Sequence, residues 1–219
     1  MGKIGRDLRA IRRRDPACKS WLEAVLLYPG FYALLFYRLA HLFYRIRFYF
    51  FARLLSQLAR FLTGTEIHPG AKIGGGVFID HAAAVVVGET AEIGDDCTLY
   101  QGVTLGGTGK NTGKRHPTLG RDVLVGAGAK VLGPVNIGDG AKIAAGAVVL
   151  HDIPPFATAV GVPARVVRIA NKKIDLCHND DLDQINIPDL TAQELCRLTV
   201  QLEKLQKRVE ELEGEKPQA

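Results

Sequence analysis

Three stretches of the chain carry side chains suited to proton chemistry: Thr65-Glu66-Ile67-His68-Pro69-Gly70, Ile79-Asp80-His81-Ala82, and an insertion from Gly106 to Pro117 that ends in Arg115-His116. A carboxylate beside an imidazole makes a general base for a hydroxyl. The carboxylate fixes the tautomer and stabilises the imidazolium. Glu66 and His81 stand fifteen residues apart, which is one eighteen-residue coil less three; with coils about 4.8 Å apart the two side chains can meet near one corner. Either residue can equally be an ordinary surface group. His68, His81 and His116 lack the close His pair on one element that metal sites usually show, so no metal is expected. The loop from Gly106 to Gly113 lacks GxxxxGK[ST] and a strand-to-helix context, which excludes a triphosphatase cradle. Its glycines instead let a ligand approach the backbone closely.

What positions these groups is a beat of six. Ile67, Ile73, Ile79, Val87, Ile93, Leu99, Leu105, Leu119, Val125, Val131, Ile137, Ile143 and Val149 recur in phase, with small residues between them. Six fits neither a helix near 3.6 nor a half-buried strand at 2. It fits a solenoid with three flat faces, one short strand and one turn to each, and one large aliphatic per face aimed at the axis. The phase breaks twice, with eight residues between Ile79 and Val87 and fourteen between Leu105 and Leu119. A solenoid tolerates insertions where they leave as loops, so both breaks mark places serving something other than stacking.

The 219 residues are 47% hydrophobic, ample for a core, with a net charge of +5. Arg6, Arg9, Arg12, Arg13, Arg14, Lys19 and further arginines crowd the first sixty residues. The chain lacks the aromatic-basic motifs of nucleic-acid readers, so no nucleic-acid partner is expected. Cys18, Cys97, Cys177 and Cys196 are scattered, without CxxC or a framework spacing, which suggests a reducing cytoplasm. Met1 to Asp15 is charged throughout and does not read as a secretory signal. Arg38, His41, Arg45 and Arg47 interrupt the apolar stretch from Phe31 to Phe51. It reads as an aromatic-rich helix buried against helical neighbours, and no membrane partner is expected.

The fold class is therefore α+β. Residues 1–64 form a helical region in which Pro29-Gly30 punctuates two helices and Asp15-Pro16 reads as a helix start, with Asp15 as N-cap. Residues 65–169 form the coil, with a loop over 106–118. Residues 170–219 hold a linker and a final helix in which Leu195, Leu198, Leu202, Leu205, Val209 and Leu212 alternate steps of three and four. Such a seam suits a short coiled coil supporting an assembly already formed, or one helix packed on its own subunit.

From Asp15 to Val167 the chain resembles the serine O-acetyltransferases, hexapeptide-repeat enzymes that begin cysteine synthesis. The resemblance rests on IDHAAAVVVGETAEIG, TLGGTGK…RHP, GVPARVV and the upstream RDPA at Arg14 to Ala17. It implies a left-handed parallel β-helix behind the helical region, assembled as trimers, with active sites between neighbouring coils. His81 is then the general base for the hydroxyl of L-serine, and Glu66 its orienting carboxylate where many members have Asp. Asp15 and Asp80 hold the substrate ammonium, while Arg115 and His116 meet its carboxylate. Acetyl-CoA, the co-substrate, lies along the outer groove near Gly107, Ala127 and Lys142, and Lys142 can either meet a phosphate or stay solvated. The serine oxygen attacks the thioester directly, and backbone amides near Gly107 can stabilise the oxyanion. Feedback inhibition by cysteine is implied too. The helical part is shorter than in the enterobacterial-type members, where it joins two trimers into a hexamer. Those members also end in a flexible tail that enters O-acetylserine sulfhydrylase. The heptad helix standing in its place argues against a tail-mediated complex and for heptads that reinforce the trimer. Two other readings stay open: an acetyl-CoA-dependent transferase acting on a sugar or antibiotic hydroxyl, and a non-catalytic trimeric scaffold.

Overall fold

The computed structural model describes residues 2–109, 112–170 and 172–173, and in the C-terminal stretch 198–202, 204–206 and 208–209. Met1–Ile174 forms one compact unit and Asp175–Ala219 a second. In the first unit, α1 (Lys3–Arg14), α2 (Trp21–Leu26), α3 (Pro29–Arg45) and α4 (Tyr49–Thr63) precede the coil. Pro29 is the first helical residue of α3, where its missing N–H costs nothing. Gly64 ends α4 in the left-handed conformation, with φ +72°. The helix start expected at Asp15-Pro16 is not there. Asp15 closes α1, and α2 begins at Trp21 with the Ser20 hydroxyl accepting from the Glu23 N–H at 3.1 Å. Serine followed three residues later by glutamate is the stronger start signal, and it outcompetes the proline.

The coil winds through three sheets in turn. The first stacks β1 (Glu66–Ile67), β4 (Val86–Val87), β7 (Thr104–Gly106), β10 (Lys130–Leu132) and β13 (Val148–Val149). The second stacks β2 (Lys72–Ile73), β5 (Glu92–Ile93), β8 (Thr118–Leu119) and β11 (Asn136–Ile137). The third stacks β3 (Phe78–Ile79), β6 (Thr98–Leu99), β9 (Leu124–Val125), β12 (Lys142–Ile143) and β14 (Ala157–Val160), then turns antiparallel through β15 (Arg165–Ile169) and β16 (Lys172–Lys173). Pairing along the coil is parallel and in register, Ile67 beside Val87 and Val87 beside Leu105. Every aliphatic of the six-residue beat is at most 4% exposed. A second interior series sits two positions earlier, including Ala71, Val77, Val85, Ala91, Cys97, Val103, Val123 and Ala129, all buried. Cys97 is thus a packing residue, and burial pushes its thiol up to about 11.

The helical layer is pinned to the coil by one buried ion pair. Asp7 accepts from Arg38 Nε at 3.0 Å and Nη2 at 2.5 Å, and its other oxygen accepts from the N–H groups of Gly76 (2.8 Å) and Val77 (3.2 Å). α3 also presses directly on the coil, because a Cβ at Gly30 would stand 2.0 Å from the Ile79 carbonyl oxygen. The stretch from Phe31 to Phe51 is split between α3 and α4, and no described helix is long and apolar enough to cross a membrane. Its burial is one-sided, contrary to the expectation of a helix enclosed by neighbours. Phe31, Leu34 and Tyr37 pack inward, whereas Leu39, Leu42, Ile46 and Phe50 stay exposed. Of the heptad series, Leu198, Leu202, Leu205 and Val209 lie in described helix and are exposed; Leu195 and Leu212 lie outside the described residues.

Candidate active site

Both phase breaks fall at edges of the prism. The first widens the turn from β3 to β4, where the third sheet meets the first. His81, Ala82 and Ala84 all take φ +57° there, a conformation that costs an L-residue of order 1–2 kcal/mol and persists only when neighbours enforce it. The coils on either side supply that enforcement. Ala84 N–H donates to Gly64 O (2.9 Å), Gly102 N–H to Ala83 O (2.8 Å) and the Thr65 hydroxyl to Ala82 O (2.6 Å). The result is an imidazole held outward, 70% exposed. Asp80 accepts the His81 backbone N–H at 2.9 Å, and its other oxygen lies 4.0 Å from His81 Nε2.

Asp15 is held at both oxygens, by the Ala17 N–H at 2.8 Å and the Tyr28 hydroxyl at 2.5 Å. Burial, together with the Asp15 hydrogen bond, pushes the Tyr28 hydroxyl far above its usual range, so it remains a donor. Gly30, two residues on, is the one seated on Ile79, which tethers the Asp15–Tyr28 pair beside the strand leading into Asp80. Glu66 does not meet His81 in the single chain. Its carboxylate pairs with Arg60 Nη1 at 3.0 Å, across the short turn from α4 to β1.

The second break lies between β7 and β8, where the first sheet meets the second. His116 is 8% exposed there. Its Nδ1 accepts the Thr90 backbone N–H at 3.2 Å, which leaves the proton of the neutral ring on Nε2. The Thr90 hydroxyl lies 2.9 Å from the same Nδ1 and accepts the N–H groups of Arg115 and His116, each at 3.1 Å. The ring occupies space that only glycine leaves: a Cβ at Gly88 would stand 1.9 Å from His116 Cδ2, and one at Gly107 would stand 3.0 Å from Nε2. Burial first, then the Arg115 charge, lowers the affinity of His116 for a proton. Arg115 Nη2 meets Glu89 Oε2 at 2.5 Å, and Tyr44 donates to Glu89 Oε1 at 3.0 Å. The Arg115 hydrogen bond is the main cause holding the Glu89 carboxyl below its ordinary value. Thr90, Glu89, Tyr44 and Tyr28 were not singled out from the sequence. The first two sit in GET, inside the most specific motif, yet a hydroxyl carries no signal of its own.

The candidate residues thus fall into two groups on two edges. Asp80 and His81 share one edge with Ala127, which lies in the turn from β9 to β10; Gly107, Arg115 and His116 occupy the other. Glu66 lies on the intervening first sheet, and Lys142 is exposed on β12 of the third. Acidic groups suited to an ammonium are separated from basic groups suited to a carboxylate by one whole face. Among the described residues no three His, Cys, Asp or Glu side chains gather as a metal site requires.

Known proteins share this sequence and fold. The family description "Serine acetyltransferase, N-terminal" matches residues 1–35, and "Bacterial transferase hexapeptide (six repeats)" matches residues 116–151. A serine acetyltransferase of Bacillus subtilis is 50% identical over 205 residues, covering 94% of this chain and 93% of its own. The Neisseria gonorrhoeae serine acetyltransferase in complex with serine superposes with a TM-score of 0.73 at 43% identity, over 75% of this chain and 67% of that one. The Brucella abortus serine acetyltransferase in complex with coenzyme A does so at 0.74 and 45% identity, over 75% and 66%. With half its residues shared along nearly its full length, the chain belongs to the serine acetyltransferases.

Proposed function

We propose that the chain transfers the acetyl group of acetyl-CoA to the hydroxyl of L-serine, giving O-acetylserine and CoA, with His81 as general base. The observation that carries this reading is the exposed His81 ring on a strained, over-tied corner, with the Asp80 carboxylate beside it. His81 takes the hydroxyl proton as the serine oxygen attacks the thioester carbonyl, and the departing thiolate recovers that proton from the imidazolium. Asp80 and Asp15 receive the substrate ammonium. His116, presenting Nε2–H, and Arg115 receive the carboxylate, so opposite charges at the two ends fix the orientation. Gly107, Ala127 and Lys142 line the path of CoA. Glu66 turns from Arg60 toward His81 when the site is occupied.

Because the two groups lie on different edges, one copy's His81 edge must meet another copy's His116 edge. A left-handed coil in a cyclic trimer makes that contact three times and closes. The exposed Leu198, Leu202, Leu205 and Val209 support a heptad seam that reinforces the trimer. Cysteine, with the same ammonium and carboxylate, enters the same site as inhibitor. The scattered spacing of Cys18, Cys97, Cys177 and Cys196 supports a reducing cytoplasm as the protein's location.

Thiol release from acetyl-CoA tests the reading directly, with L-serine, D-serine, a sugar acceptor or no acceptor. Turnover with L-serine alone, abolished in His81→Ala while CoA still binds, is the expected outcome. Turnover with the sugar alone would replace it with a different acceptor class. Mixing inactive His81→Ala with inactive His116→Ala subunits should restore part of the activity, because some edges then pair two intact halves.

A further inference from the structure

Away from both edges, α1 presents more positive charge than the fold uses. Arg6, Arg9 and Arg13 follow at steps of three and four, which puts them on one helical face with Arg12 at its margin. Two carboxylates face them. Arg6 meets Asp95 at 3.1 Å and Asp96 at 2.9 Å, and Arg13 reaches Asp96 at 3.5 Å. Arg14 turns into the coil instead, donating to the carbonyls of Gly76 and Cys97 and to the Thr98 hydroxyl. The Arg9 side chain has no ion pair or hydrogen bond among the described residues. Arg12 lies over the Trp21 indole, 4.7 Å from its centroid, and Trp21 is 48% exposed. These groups enclose a groove of about 550 Å³, within the range that holds small ligands. Packing like charges along one helix face costs stability, and nothing in the described fold consumes Arg9 or the outer face of the Arg12–Trp21 stack.

We propose that this groove binds a nucleotide polyphosphate. Guanidinium forks suit phosphate oxygens, with Arg9 as the contact left available and Arg13, which reaches Asp96 only at 3.5 Å, beside it. The Arg12–Trp21 stack offers a flat, half-solvated ledge for a planar base. An adenine nucleotide with two or more phosphates combines both features. A free nucleotide such as ATP supplies that chemistry, and the groove shares no residue with the path of CoA along Gly107, Ala127 and Lys142.

Trp21 is the single tryptophan of the chain, so its fluorescence reports on the groove without a label. Titrating the intact protein with ATP at fixed ionic strength is expected to give a saturable change, matched by heat in isothermal titration calorimetry. Arg9→Ala, which removes no hydrogen bond or ion pair of the described fold, should weaken binding about tenfold, as expected for a lost charge-assisted contact, with the melting temperature unchanged. Simultaneous binding of ATP and CoA is expected; displacement of ATP by CoA would put the nucleotide on the CoA path and overturn the proposal. A flat calorimetric trace up to millimolar ATP would overturn the proposal. So would an equal response to sodium sulfate, or undiminished binding by Arg9→Ala. None of these readouts needs turnover, so the acetyltransferase reading can fail or stand independently.

Discussion

The two widened edges solve opposite problems. At the His81 edge the backbone is fixed and the side chain is left exposed. The left-handed corner is tied through Ala82, Ala83 and Ala84 to the coils on either side, and the ring projects into solvent with one carboxylate beside it. At the His116 edge the side chains are fixed: Thr90 grips Nδ1 and two backbone N–H groups, Glu89 grips Arg115, and two glycines clear room for the ring. A group that must gain and lose a proton needs access, whereas groups that only orient a substrate gain from being tied down beforehand. Each perturbation below should therefore have a different signature at the two edges.

Removing the exposed ring gives the largest effect. His81→Ala should lower acetyl transfer roughly 10²- to 10⁴-fold, the usual contribution of a general base, with little change in melting temperature because the ring packs against little. Loss of stability in parallel with activity would mean that the edge relies on that side chain. Crowding the other edge comes next. Gly88→Ala drives a methyl into the His116 ring, and misplacing an orienting group by about 1 Å costs on the order of 100-fold. The loss should appear in kcat/KM for serine, with CoA binding intact. Unchanged serine kinetics would separate His116 from the substrate.

Thr90→Val should cost about tenfold in the same parameter, because the methyl that replaces the hydroxyl leaves two N–H groups without an acceptor. Thr90→Ser should restore it. That Thr90 matters was not legible in the sequence, and the reason is physical. The six-residue beat could be read because each large aliphatic meets a repeating interior, so one rule governs them all. The second interior series carries no such signal, since Ala71, Cys97 and Ala129 are small and varied. Polar positions obey no repeat: Thr90 meets His116 only because fourteen residues separate Leu105 from Leu119. His81, Asp80, Arg115 and His116 could be proposed from their types and motifs, but not their division between two edges, which depends on which turn each break occupies. Glu66 illustrates the same limit. Its Arg60 partner lies six residues earlier, across a turn whose direction is set by the left-handed Gly64.

Acid should also distinguish the edges. An ordinary imidazole titrates near 6.5, and burial places His116 below that. Above pH 6.5 the ring is neutral both folded and unfolded, so its contribution to stability is complete. As pH falls through the depressed folded value that contribution is lost, because protonation displaces the Thr90 N–H from Nδ1. Glu89, held below the 4.5 of an ordinary glutamate, acts in the same direction at lower pH. A ring-proton NMR titration should give His116 a midpoint under 6.5. A midpoint above it would mean that Arg115 and burial do not govern the ring, and that the second edge is looser than its hydrogen bonds suggest.

The smallest effect probes the strain at the first edge. Ala84 is exposed and left-handed, so Ala84→Gly removes a conformational penalty of order 1–2 kcal/mol while adding chain entropy of roughly 0.5–1 kcal/mol to the unfolded state. The difference favours the variant by about 1 kcal/mol or less, visible as a slightly higher urea midpoint. Turnover should move the other way by a small factor, because a glycine at this position lets the corner sample other conformations and blurs the direction of the neighbouring imidazole. Opposite signs in the two measurements would show that the corner gives up stability to aim His81. Falling stability would instead mean that Ala84 is at ease, and that the ties from Gly64, Thr65 and Gly102 shape the edge without storing strain.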